Sequence, residues 1–149
     1  EYGMHDIVPG IVGDPRGYRP VAVRHADGWR ISSGCRWFTA GEARAHWQQG
    51  ERLFMQRQGQ LNQSCANCHD QNQGRRLFTD RLSQGQPNGY PAYRLEWQGL
   101  GSLQRRLRGC MTGVRAEPFA ANSVEMVELE LHLATRAMGM KMDTPAVRP

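Results

Sequence analysis

The sequence predicts a mainly α, single small domain preceded by an irregular N-terminal extension that contains a short β-hairpin. Three observations carry this expectation: two segments with apolar residues at helical spacing, at 39–57 and 123–138; a Cys-x-x-Cys-His motif between them at 65–69; and a Gly-, Pro- and Asn-rich stretch after the motif whose turn chemistry reads as loop. The boundary is placed so that the extension is 1–38 and the helical domain 39–149.

In the extension, Asp27-Gly28 lies between the β-prone runs Val21-Ala22-Val23 and Trp29-Arg30-Ile31, a hairpin signal because both turn residues tolerate positive φ. At Thr39-Ala40-Gly41-Glu42 the pattern becomes a capping box, so a helix is expected to start there and end near Arg57. Ala43, Trp47, Leu53 and Phe54 form its apolar face, and Gly50 weakens it locally. Ser102 is expected to cap a short helix, Leu103 to Arg108, stopped by Gly109. The last helix is expected from Ser123 to Met138, capped by Asn122 or Ser123 and stopped at Gly139, with Val124, Val127, Leu131, Ala134 and Met138 on one face.

Cys65-Ala66-Asn67-Cys68-His69 is the attachment signature of a c-type haem. Two thiols spaced by two residues add across the haem vinyl groups, and the next histidine supplies an axial nitrogen to iron. A thioredoxin-like redox pair needs no adjoining histidine and expects a βαβ context, while a zinc site needs two further ligands at close spacing. Helices at both ends flanking such a motif define a cytochrome c-like haem domain with one covalently attached haem c. His46 and His132 fall on expected helices and read as surface or packing residues rather than further haem ligands.

The chain has 149 residues, a formal charge of +5, and one lysine, Lys141, among 19 basic residues. Arginine forks suit anions and carboxylates, so the balance points to an anionic substrate or an acidic partner surface. The basic residues form no long tract and match no nucleic-acid module, so nucleic acid is not expected. No apolar run approaches the roughly 20 residues that span a bilayer, and no membrane span is expected. The opening residues lack the basic and apolar regions of a signal peptide, so the chain reads as a mature product. Covalent haem attachment outside the cytoplasm makes the periplasm the expected location.

The second iron ligand is open to several residues. Met111, Met126, Met138, Met140 and Met142 lie downstream of His69; Met126 and Met138 read as helix-packing residues, while Met140 and Met142 stay available. Cys110 is the stronger candidate, since a thiolate donates electron density to iron and the iron keeps it deprotonated. Cysteine arithmetic alone allows an alternative, a disulfide between Cys110 and Cys35. Arg106 precedes Cys110 by four residues, so on a continued helical turn the two share a face, and a guanidinium there favours thiolate and binds an arriving anion. A solvated basic face explains Arg105 and Arg108 equally well.

The run 82–97, Leu-Ser-Gln-Gly-Gln-Pro-Asn-Gly-Tyr-Pro-Ala-Tyr-Arg-Leu-Glu-Trp, followed by Leu100-Gly101-Ser102-Leu103, Cys110, Gly113-Val114-Arg115-Ala116-Glu117-Pro118 and the tail 144–149, closely resembles the SoxA family. The resemblance runs from about Gly50 to the C-terminus. It implies an enzyme, an L-cysteine S-thiosulfotransferase in which SoxA pairs with the cytochrome SoxX. Such enzymes couple thiosulfate to a cysteine of the carrier SoxYZ and pass electrons onward through SoxX. By motif, Cys65 and Cys68 become the thioether sites and His69 the proximal ligand. Cys110 becomes the distal ligand and active-site sulfur, found in the family as a persulfide; Arg106 becomes the substrate-binding arginine, with Arg115 a further candidate for the same pocket. The first 38 residues do not match the N-terminal domain usual in the family, so a fragment or reduced variant is expected. A pure electron-transfer cytochrome, which expects Met or His opposite His69, is the alternative, and a haem-based sensor a third.

Overall fold

The helical periodicity resolves into two helices packed against each other, α1 (Ala43–Met55) and α3 (Val124–Arg136), in a computed structural model that describes residues 22–25, 28–31, 41, 43–77 and 80–148. They cross at Gly50, where a Cβ would stand 1.9 Å from the Glu128 carbonyl oxygen. Glycine inside a helix costs about 1 kcal/mol relative to alanine, and here it permits backbone contact that any side chain would block. Around the crossing, His132 lies between Phe54 and Trp47, with ring centroids 5.1 and 6.1 Å away. Trp47 Nε1 donates to Thr135 Oγ1 at 2.9 Å, and His46 meets the Glu128 carboxylate at 2.8 Å. Both histidines are thus packing residues.

The third helix, α2 (Leu103–Gly113), begins as expected, with Ser102 Oγ accepting from Arg105 N. It does not stop at Gly109. A glycine in αR conformation only weakens a helix, and this one continues until Val114 N bonds the carbonyls of Cys110 and Met111 and Arg115 turns left-handed at φ 58°. Cys110 therefore sits inside α2. α3 is capped by Ser123 Oγ. Its buried face also differs from expectation: Val124 is 46% exposed, while Met126, Leu129, Leu131, Leu133 and Ala134 are buried. Leu131 packs on Trp47, whereas Leu129 and Leu133 join Leu53, Phe54, Ala66 and Leu103. A helix covered on two sides buries a wider arc than one amphipathic stripe.

In the extension, β1 (Ala22–His25) and β2 (Gly28–Ile31) pair antiparallel as the expected hairpin. Thr39, Glu42, Cys35 and the boundary at 38 lie outside the described residues. The stretch after the motif is not all loop. β3 (Arg76–Leu77) pairs with β4 (Asp80–Arg81), and β5 (Ala92–Arg94) is the centre of a three-stranded sheet. β6 (Gly99–Gly101) pairs antiparallel with β5, and β7 (Ala146–Arg148) brings the tail back parallel to it, with Tyr93 opposite both Leu100 and Val147. Strands this short carry too few residues for a period of two to show.

Gln104 ties α2 to α3. Its Oε1 accepts from Asn122 N at 2.8 Å and its Nε2 donates to Glu130 Oε2 at 2.9 Å. Glu130 is buried with Oε1 unpaired, and burial pushes its carboxyl up to about 7, partly offset by the Gln104 bond. Buried His132 is lowered from its usual value by the same desolvation, then by the charge of Arg136. An acid raised in the folded state binds protons that the unfolded chain releases, so Glu130 contributes stability fully below pH 4.5 and loses it as pH rises to about 7. His132 has the opposite slope. Urea unfolding from pH 4 to 8 should show Glu130→Gln gaining on the parent chain by about 3 kcal/mol across this window. Parallel stability curves would contradict a neutral buried Glu130.

Candidate functional site

The haem-attachment motif sits on a helical segment ending in a π-helical turn, Asn67–Gln71, which contains Cys68 and His69. Its start is fixed by a reciprocal pair: Asn67 Oδ1 accepts from Ser64 N and Oγ, both at 2.9 Å, while Ser64 Oγ accepts from Asn67 N at 3.1 Å. Both residues are buried. Asn67 then donates to Gln71 Oε1, and Asn72 Nδ2 donates to the Asn67 carbonyl. The serine three residues ahead of a side-chain acceptor was a legible capping signal, and the expectation passed over it.

His69 Nδ1 donates to the Ser83 carbonyl at 2.8 Å. That bond selects the tautomer in which Nε2 is the free, basic nitrogen, the arrangement an axial imidazole needs. Cys65, Cys68 and Cys110 each carry a free thiol. Burial pushes the Cys65 thiol up to about 11, with the nearby Cys110 sulfur adding to the rise. Cys68 is raised as well, by burial first and then by Cys110. The fold therefore brings the Cys110 sulfur of α2 near the two thiols of the attachment motif, which His69 follows directly. Thiols held neutral are poor at disulfide exchange, and among the described residues no cluster of three or more His, Cys, Asp or Glu side chains is arranged to hold a metal ion. The residues fit a c-type haem.

On α2, Arg106 and Cys110 stand one turn apart on the same face, both half-buried. Arg106 Nη1 lies 3.5 Å from Glu96 Oε1, and the same oxygen receives Arg94 Nε at 2.7 Å. One carboxylate thus faces two guanidiniums and leaves the cluster net cationic. Arg94 and Arg105 also lie against the Trp97 ring, at 5.3 and 4.4 Å from its centroid. Arg115 is placed elsewhere: it follows the C-terminal end of α2, exposed, with Nη1 3.5 Å from Gln60 Oε1 and its carbonyl accepting from Gln60 N. It braces the loop that leads into the motif, roughly 10 Å along α2 from the level of Arg106.

Residues 49–142 match the family model of the SoxA/TsdA cytochrome c domain. The chain belongs to this family. Its likeness extends to the L-cysteine S-thiosulfotransferase subunit SoxA of Pseudaminobacter salicylatoxidans, 44% identical over 108 residues that make up 72% of this chain and 38% of that protein. The subunit of the same name from Paracoccus pantotrophus is also 44% identical, over 72% of this chain and 37% of its own length. The crystal structure of SoxXA from P. pantotrophus superposes with a TM-score of 0.72 at 43% identity, covering 74% of this chain and 42% of that one. The chain thus spans about two fifths of the length of these SoxA relatives. A cytochrome c domain of this family implies a c-type haem, and no helix among the described residues is long and apolar enough to cross a membrane.

Asn67→Ala removes the side chain that closes the reciprocal cap ahead of Cys68 and His69. The haem-loaded variant should lose about 1–2 kcal/mol in urea unfolding, with less haem attached per chain during maturation. Unchanged stability and haem content would show that the cap does not organise the motif.

Proposed function

We propose that this chain is a SoxA-type haem subunit that catalyses oxidative conjugation of thiosulfate to a cysteine of a SoxYZ carrier, acting in the periplasm with a SoxX partner. The observation that carries the reading is the pairing of Arg106 with Cys110 on one face of α2, with the Cys110 sulfur close enough to Cys65 and Cys68 for its charge to reach both. The names of the relatives agree with it.

In this reading Cys65 and Cys68 would hold one haem covalently, and His69 and Cys110 would supply the nitrogen and sulfur that hold its iron. Bound there, the haem supplies a one-electron acceptor and an outlet toward SoxX. The chain's own side chains do the rest. Arg106, its charge only partly answered by the Glu96 carboxylate it shares with Arg94, binds the sulfonate oxygens of thiosulfate and orients the terminal sulfur toward Cys110. The Cys110 thiolate and that sulfur form an S–S bond as two electrons leave. The carrier thiolate then attacks the sulfur bound to Cys110, taking the S–SO3 group and returning Cys110 as thiolate. Overall, one carrier thiol and one thiosulfate give the S-thiosulfonate, one proton and two electrons. Arg115, outside the Arg106 turn, contributes positive field at the other end of α2.

With SoxX, SoxYZ and thiosulfate present, Cys110→Ser should abolish the mass gain on the carrier cysteine while the haem stays attached. Arg106→Gln should raise the KM for thiosulfate roughly tenfold or more, the scale of a lost charge-assisted bond, with a smaller change in kcat. Full activity of the Cys110 variant would leave only an electron-carrying role.

A further inference from the structure

The Ser83 carbonyl that orients His69 belongs to an exposed segment with no regular structure, yet the two residues that follow it are held in place. Gly85, at φ 70°, lies so close to the imidazole that a Cβ would come 3.0 Å from His69 Cγ, and its N–H donates to Ser83 Oγ at 3.2 Å. The Gln84 carbonyl accepts from Arg136 Nη2 at 3.4 Å. The same guanidinium makes a two-point ion pair with Asp70, the residue after His69, through Nη2–Oδ1 and Nη1–Oδ2. It also lies over the Phe54 ring at 4.6 Å, and Phe54 is among the most buried side chains of the core. One side chain at the end of α3 therefore joins the attachment motif, the loop that holds the proximal imidazole, and α1.

We propose that Arg136 is a positioning residue for the proximal imidazole. By tying Asp70 to the Gln84 carbonyl it keeps the Ser83 oxygen on His69 Nδ1, which raises the donor strength of Nε2 toward iron. This rests on the haem reading above. A strongly donating imidazole favours ferric iron, so loosening the clamp raises the reduction potential. Simple removal of a positive charge near the haem acts the other way, because it stabilises the more positive ferric form. For Arg136→Gln the two explanations therefore differ in sign, whereas for Asp70→Asn they agree and the g-values decide.

The experiment uses the haem-loaded chain carrying Arg136→Gln, Asp70→Asn, or both, with haem content measured first. Reduction potentials and ferric EPR g-values are then recorded. Both single variants should raise the potential and shift the g-values alike, and the double variant should shift no further than the larger single one, since each removes the same bridge. A lowered potential in Arg136→Gln with a raised one in Asp70→Asn, or unchanged g-values in both, would overturn the clamp. Should Arg136→Gln fail to load haem, Asp70→Asn alone still decides, because unchanged g-values in it contradict the proposal. A parent chain that takes up no covalent haem would instead overturn the haem reading.

Discussion

The backbone contact between α1 at Gly50 and α3 at Glu128 is the constraint on which the site depends. It sets the two helices close enough for Phe54 to lie under the Arg136 guanidinium, and that stacking fixes the end of α3 beside the attachment motif. From Arg136 the chain of contacts passes to Asp70 and Gln84, then to the Ser83 carbonyl and His69 Nδ1. Packing in the core is converted, step by step, into the orientation of one imidazole. A methyl group at Gly50 would push against Glu128 and separate the helices that begin this sequence of contacts.

The opposite side of the site is organised by charge more than by packing. α2 is held to α3 through the two-ended amide of Gln104, which donates to the Glu130 carboxyl that burial pushes up. Arg106, one turn before Cys110 on α2, reaches the Glu96–Arg94 pair, with Trp97 lying against Arg94 and Arg105. A rigid helix carrying both a cation and a thiol suits an anionic sulfur compound, because orientation and charge stabilisation come from residues whose spacing the backbone already fixes.

Much of this was legible in the sequence, for identifiable reasons. The attachment motif is contiguous and the caps and apolar spacing of the helices are local, so the motif and the helices' existence can be read along the chain, although α3 buries a wider arc than its periodic stripe. The continuation of α2 through Gly109 was missed because a glycine stops a helix only when the backbone turns left-handed, which here happens at Arg115. The sheet around β5 was missed because both its partners are three-residue strands, and one of them, β7, lies more than fifty residues on. The bonds that orient the site, His69 to Ser83 and Arg136 to Asp70, join residues 14 and 66 positions apart, beyond any local signal. Arg115, which the family resemblance offers as a further anion-binding residue, follows α2 and meets Gln60, a contact 55 positions away that no local pattern announces.

X-ray absorption at the iron edge of the haem-loaded chain most directly tests whether Cys110 shares the iron with His69. The account predicts one sulfur in the first shell of the parent chain, retained when Met140 and Met142 are replaced and lost in Cys110→Ser. A first shell of nitrogen alone, or a sulfur that survives Cys110→Ser, would contradict it.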